Sequence, residues 1–150
     1  LKFAAHLPFY PPCMIMPEEL IFNDVPIHIL AGELDDWVPA AACEELVSAA
    51  KNVNYDIGIT VYPGASHSFD RDQNVEYLSY AYSFTDCRLE LTSDGVVKTL
   101  SIGFPLSNSI LQKSVLAFCA ERGATYGGNP EAREHSSQFA LDFMNKHLNN

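Results

Sequence analysis

Residues 25–31, VPIHILA, form an apolar run bounded by Asp24 and Gly32. So short a run without polar alternation predicts a strand buried on both faces. After Pro39 the segment AAACEELVSAAKN is rich in helix formers and places Cys43, Leu46, Val47 and Ala50 three and four residues apart, the spacing of one helical face. YDIGITVY then alternates Ile57, Ile59 and Val61, with Thr60 and Tyr62 adding strand preference, and closes on the turn signal Pro63-Gly64. Strand, helix, strand in that order predicts a right-handed parallel crossover and an α/β class.

A second clear helix is predicted from Asn129 onward. Asn129 suits the N-cap and Pro130 the first helical position, while Glu131 at the start and Lys146 and His147 at the end complement the helix dipole. Its apolar face, Ala132, Phe139, Ala140, Phe143 and Met144, is expected to cover one side of the sheet. The stretch 72–128 is less regular and is expected to be an insertion. Within it CRLELTSDGVVKTLSIG alternates around Asp94-Gly95 as a hairpin would, and SNSILQKSVLAFCAERG has a helical pattern with Gly123 as its C-terminal cap. The opening LKFAAHLPFYPPC has no initiating Met, and residues 1–9 have the character of a strand already in progress. That suggests a sequence beginning inside a domain.

Composition narrows the class. With 150 residues, 47% of them apolar and 19% charged, the chain can bury a core as one domain. No window approaches the apolar length of a membrane helix. Nineteen acidic residues against nine basic give a formal charge of −10, a field that repels phosphate backbones, so neither nucleic acid nor membrane is an expected partner. Cys13, Cys43, Cys87 and Cys119 are widely spaced without a CxxC pair and give no zinc or redox motif. Cys13 and Cys43 fall at adjacent strand-end and helix positions and are the first candidate disulfide. Compartment is not legible.

The chemistry lies in two loops. GELDDWVP (32–39) and YPGASHSFD (62–70) leave the C-terminal ends of two strands that a crossover unit lays side by side. Ligand sites of open α/β sheets lie at that edge. Asp35 and His67 are therefore expected within side-chain reach, where a carboxylate accepts the ring's Nδ1 proton and stabilises the imidazolium formed when Nε2 takes a proton from a nucleophile. Asp36 is the alternative carboxylate. Trp37 is a candidate pocket wall or simple packing, His28 a hydrogen-bonded core histidine, and His6, His135 and His147 share no metal-ligand spacing.

GELDDWVPAAAC, YPGASHSFDR and FAAHLPFYPPC together resemble the C-terminal half of dienelactone hydrolase-like proteins, a branch of the α/β-hydrolase superfamily. The likeness covers residues 1–71 and 126–148, the latter through TYGGNPEAREHSSQFALDFMNKHL. The family's acid lies four residues before a Pro and its histidine just before x-Phe, which places them at Asp35 and His67. An Arg four residues after the histidine helps to bind an anionic substrate in the family, which implies that role for Arg71; the alternative is an exposed surface cation paired with Asp70 or Asp72. The resemblance implies the C-terminal part of an α/β-hydrolase fold, a parallel sheet flanked by helices with an inserted hairpin and helix. It implies hydrolysis of a small ester or lactone, without a metal or organic cofactor.

One departure matters. The family's Gly-x-Cys-x-Gly or Gly-x-Ser-x-Gly elbow is absent from the 150 residues, and oxyanion-hole donors come partly from still earlier. The nucleophile is expected upstream of Leu1. Ser66 and Ser68 lack a strained strand-to-helix turn, and Cys13, near the sheet edge, would need an electropositive setting that a sequence does not display, so none is the expected replacement. The alternative is a non-catalytic pseudoenzyme or binding subunit, a homo-oligomer associating through an exposed sheet edge.

Overall fold

The computed structural model describes residues 3–148, so Leu1 and Lys2 of the opening segment lie outside the described residues. Within them the chain is mixed α/β, with three small sheets and three helices. Strand β1 (Ile15–Pro17) precedes β2 (Ile27–Gly32), helix α1 (Ala40–Asn52) and β3 (Ile57–Tyr62). There follow β4 (Glu76–Ser83), β5 (Leu89–Leu91), β6 (Val97–Thr99), α2 (Ser109–Cys119), β7 (Glu121–Tyr126) and α3 (Pro130–Leu148).

The predicted crossover is present. β2 and β3 pair in parallel from Ile27 opposite Ile57 to Gly32 opposite Tyr62, with α1 between them in sequence. The opening segment adds to the other side of β2: His6 N–H donates to Pro26, His28 N–H to His6, Leu30 N–H to Pro8 and Tyr10 N–H to Leu30. Pro8 has no N–H, so this third run is an interrupted bridge pair and not a regular strand. The crossover sheet is thus the β2–β3 ladder with that fringe; in a second sheet β1 pairs in parallel with β5 and β5 antiparallel with β6, and in a third β4 pairs antiparallel with β7.

Alternation along β2 divides the core. Ile29 and Ala31 pack with Ala42, Cys43, Val47 and Ala50 of α1. Leu30 faces the other way, with Tyr62, Ala65, Phe69 and Ala132, and Phe139 of α3 packs against that cluster. α3 begins as expected: Asn129 Oδ1 accepts the Ala132 N–H at 3.1 Å. Cys13 and Cys43 are bonded, fastening the end of the opening segment to α1. Cys87 and Cys119 form a second disulfide that the sequence reading had not paired. Each closes a chain loop of about thirty residues, which by loop entropy stabilises by roughly 3–4 kcal/mol.

The stretch 72–128 differs in part from expectation. The hairpin exists as β5–β6, with Leu91 opposite Val97 around the Asp94-Gly95 turn. The helix, however, stops at Cys119, and Gly123 is not its cap. Ala120 is extended, and Gly123 lies within β7, which pairs antiparallel with β4. The strand β4, EYLSYAYS, exposes Tyr77 and Tyr80 and so lacks the apolar alternation by which strands are read.

His28, expected as a hydrogen-bonded core histidine, is hydrogen-bonded but only half-buried. Its Nε2 lies 2.9 Å from Thr60 Oγ1 and its ring 4.5 Å from that of Phe139. Burial, then the nearby Lys51, lowers its pKa below the ordinary value. The unfolded chain therefore takes the proton first, so this contribution is present above about pH 6.5 and is lost as pH falls towards the lowered folded-state value. Between about pH 7.5 and about pH 5.5, wild type is expected to lose more stability in urea titrations than His28→Gln. Equal losses would contradict it.

Candidate active site

The two loops meet at the C-terminal end of the β2–β3 ladder. Glu33 N–H donates to Tyr62 and Leu34 N–H to Ala65, while Gly64 N–H reaches the Glu33 carboxylate at 2.8 Å. This approach requires Gly32, because a Cβ there would lie 2.3 Å from the Ala65 carbonyl oxygen and 2.9 Å from that of Ser66. Gly32→Ala is expected to force the loops apart at a cost of about 1–3 kcal/mol, read by chemical denaturation. A neutral result would mean that the crossing is looser than this geometry.

Asp35 Oδ2 lies 2.9 Å from His67 Nδ1. The carboxylate's other oxygen accepts the N–H groups of Trp37 at 3.0 Å and Val38 at 2.9 Å. Its side chain is 0% exposed, against 18% for the imidazole. An ionised carboxylate only accepts, so the shared proton sits on Nδ1, and the neutral ring then offers its lone pair at Nε2, on the edge turned away from Asp35. Asp36 is occupied elsewhere: its carboxylate accepts the N–H of Thr125 at 2.7 Å and the Thr125 hydroxyl at 3.0 Å, holding β7.

The histidine loop is held from the C-terminal side too. Gly127 N–H donates to the His67 carbonyl and Asn129 N–H to that of Phe69. Gly128 passes so near that a Cβ would lie 2.1 Å from the Arg71 carbonyl oxygen. TYGGNP, read in sequence only as the lead into a helix, thus braces the loop.

Around the imidazole stand two aromatic rings, Trp37 with its centroid at 5.0 Å and Tyr10 at 4.5 Å. Tyr10 was not singled out by sequence reasoning, although it lies in the quoted FAAHLPFYPPC. Arg71 is exposed and forms no ion pair among the described residues. Its acidic neighbours are engaged otherwise, Asp70 by the Tyr10 hydroxyl at 3.1 Å and Asp72 by Arg133 at 2.7 Å. Ser66 and Ser68 do not hydrogen-bond to the His67 ring among the described residues, and Cys13 is in its disulfide and carries no thiol.

The family model that matches this chain is that of the dienelactone hydrolase family, over residues 1–86. The chain belongs to the dienelactone hydrolase family. Searches of curated proteins and of solved structures gave no match. The dienelactone hydrolase match contains both loops and every residue named around His67 up to Arg71. It runs on through β4, within the stretch read as an insertion, and it ends before β5, β6, α2, β7 and α3. Membership places the chain among hydrolases of small molecules, and no helix among the described residues is long and apolar enough to cross a membrane.

Proposed function

We propose that this chain is the C-terminal part of an α/β-hydrolase and supplies the acid and base of a nucleophile–His–Asp triad that cleaves a small carboxylic ester or lactone. The observation that carries the reading is the 2.9 Å contact between the buried Asp35 carboxylate and His67 Nδ1. Asp35, fixed by two backbone N–H groups, holds the imidazole in one tautomer. Nε2 takes the proton of a Ser or Cys nucleophile as it attacks the ester carbonyl, and the Asp35 carboxylate stabilises the imidazolium. His67 then gives that proton to the leaving alkoxide, and the cycle repeats with water to free the acid. No Gly-x-Ser-x-Gly or Gly-x-Cys-x-Gly occurs in the 150 residues, so the nucleophile is assigned to polypeptide upstream of Leu1.

Arg71 is assigned to a carboxylate of the substrate, since it follows His67 by four residues, is exposed, and has no ion-pair partner among the described residues. Trp37 forms part of the wall against which the substrate packs. Residues 72–128 are read as an insertion on this framework.

Hydrolysis of a chromogenic short-chain ester tests the assignment. The 150-residue chain alone is expected to stay at background, and the protein extended through its upstream coding sequence to hydrolyse the ester. His67-dependent turnover by the 150 residues alone would place a nucleophile inside them.

A second reading, a non-catalytic subunit, is favoured by one feature. An apolar cavity of about 720 Å³, lined by Leu7, Pro8, Ile15, Phe22, Ile27 and Ile29 among others, opens beside the fringe of the parallel ladder and away from His67. Sedimentation of the 150-residue chain as a stable dimer would favour that reading over the triad.

A further inference from the structure

We propose that Tyr10 is a positioning residue for His67: its ring holds the plane of the imidazole, and its hydroxyl, bonded to Asp70, fastens the loop that carries the histidine. The inference rests on the reading of His67 as a base. Three observations converge on it. The Tyr10 ring centroid is 4.5 Å from that of His67, nearer than Trp37. The hydroxyl donates to Asp70 Oδ1 at 3.1 Å across sixty residues of sequence, three positions beyond the histidine. The backbone of Tyr10 has φ +37°, a region costly for a bulky residue, and is held there by its N–H bond of 2.7 Å to the Leu30 carbonyl.

These features act on different freedoms of the base. Asp35 fixes one ring nitrogen but leaves the imidazole able to pivot about the Nδ1 contact, which would swing Nε2 out of line with its target. A ring packed against the imidazole restricts that pivot. The Oη–Asp70 bond restrains the loop itself, where Ser68 is also in the left-handed region at φ +60°. Burial and the Asp70 carboxylate raise the pKa of the Tyr10 hydroxyl, so it remains a proton donor. Phe69 packs edge-on to Tyr10 with centroids 5.8 Å apart, joining both contacts to the core.

The test reads the base directly by ¹⁵N and proton NMR of the His67 ring, which needs no substrate. Wild type should show a protonated Nδ1 with a slowly exchanging proton. Tyr10→Leu is expected to speed that exchange by about tenfold and to shift the nitrogens towards a mixture of tautomers, with far-UV circular dichroism unchanged. Tyr10→Phe keeps the ring and should keep the tautomer, while exchange rises about threefold, and Asp70→Ala should match it. A folded Tyr10→Leu with wild-type exchange and shifts would overturn the proposal. If Tyr10→Leu fails to fold, wild-type exchange in both Tyr10→Phe and Asp70→Ala overturns it instead. Asp35→Asn separates the two levels of the argument: an unchanged ring signature there would sink the triad reading itself, however the Tyr10 variants behave.

Discussion

Asp35→Asn, made in a form of the protein that hydrolyses the ester, is expected to lower kcat by about 10⁴ with little change in KM. The substitution preserves shape and both contacts to the Trp37 and Val38 N–H groups, whose acceptor is Asp35 Oδ1. What it changes is the partner of Nδ1. An amide can present its NH₂ to the ring, which favours the tautomer with the proton on Nε2, and that nitrogen can no longer accept one from a nucleophile. The loss of negative charge also removes stabilisation of the imidazolium. His67→Ala should cost more, because it removes the base itself, and its effect and that of Asp35→Asn should not add, since the two residues act as a unit. Asp36→Asn, one residue away, alters a carboxylate that binds Thr125 of β7 and is expected to affect stability and not turnover. Steady-state kinetics on a chromogenic ester would decide it. A loss below tenfold for Asp35→Asn, or a larger loss for Asp36→Asn, would contradict the assignment.

Phe69→Ala is expected to destabilise the fold by about 3–5 kcal/mol, a large part of the stability of a typical domain. Phe69 is fully buried and packs against Phe9, Tyr10 and Tyr62, with centroids at 6.1, 5.8 and 5.0 Å. Its ring therefore joins the opening segment, β3 and the histidine loop, and its carbonyl accepts the Asn129 N–H at the start of α3. Truncation leaves a cavity where four parts of the chain meet, and rigid backbone crossings at Gly32 and Gly128 limit collapse into it. Equilibrium urea denaturation should show the midpoint falling by on the order of 2 M, with a smaller shift for Phe69→Leu. A shift under about 0.5 M would mean that the ring is not the anchor of this loop.

Much of what positions the site was legible because it is local. The apolar run of β2, the helical spacing in α1, the alternation in β3 and the Asn129-Pro130 start of α3 each announce themselves within a dozen residues. Topology then supplies the long-range step: parallel pairing of β2 with β3 brings Asp35 to His67 across 32 residues. The choice between Asp35 and Asp36 was weaker in sequence, since adjacent carboxylates look alike until the partner of Asp36, Thr125, is known from 89 residues away. Strands β4 and β7 escaped notice for a different reason. They form a two-stranded sheet that exposes Tyr77, Tyr80 and Tyr82, so hydrophobic periodicity carries little signal. Gly123 was misplaced as a helix cap because a glycine after a helical pattern reads the same whether it ends the helix or, as here, leaves room for the Tyr77 ring. Tyr10 was hidden because its role is visible only once the loops are closed.

The measurement that tests the central claim most directly is covalent capture of the nucleophile. The protein extended through its upstream coding sequence would be treated with an activated phosphonate ester, which reacts with a Ser or Cys only when a base activates it, and the label located by peptide mapping. The account predicts a single label on a residue upstream of Leu1, with its rate of formation collapsing in His67→Ala and in Asp35→Asn. A label within residues 1–150, or labelling at the same rate without His67, would contradict it.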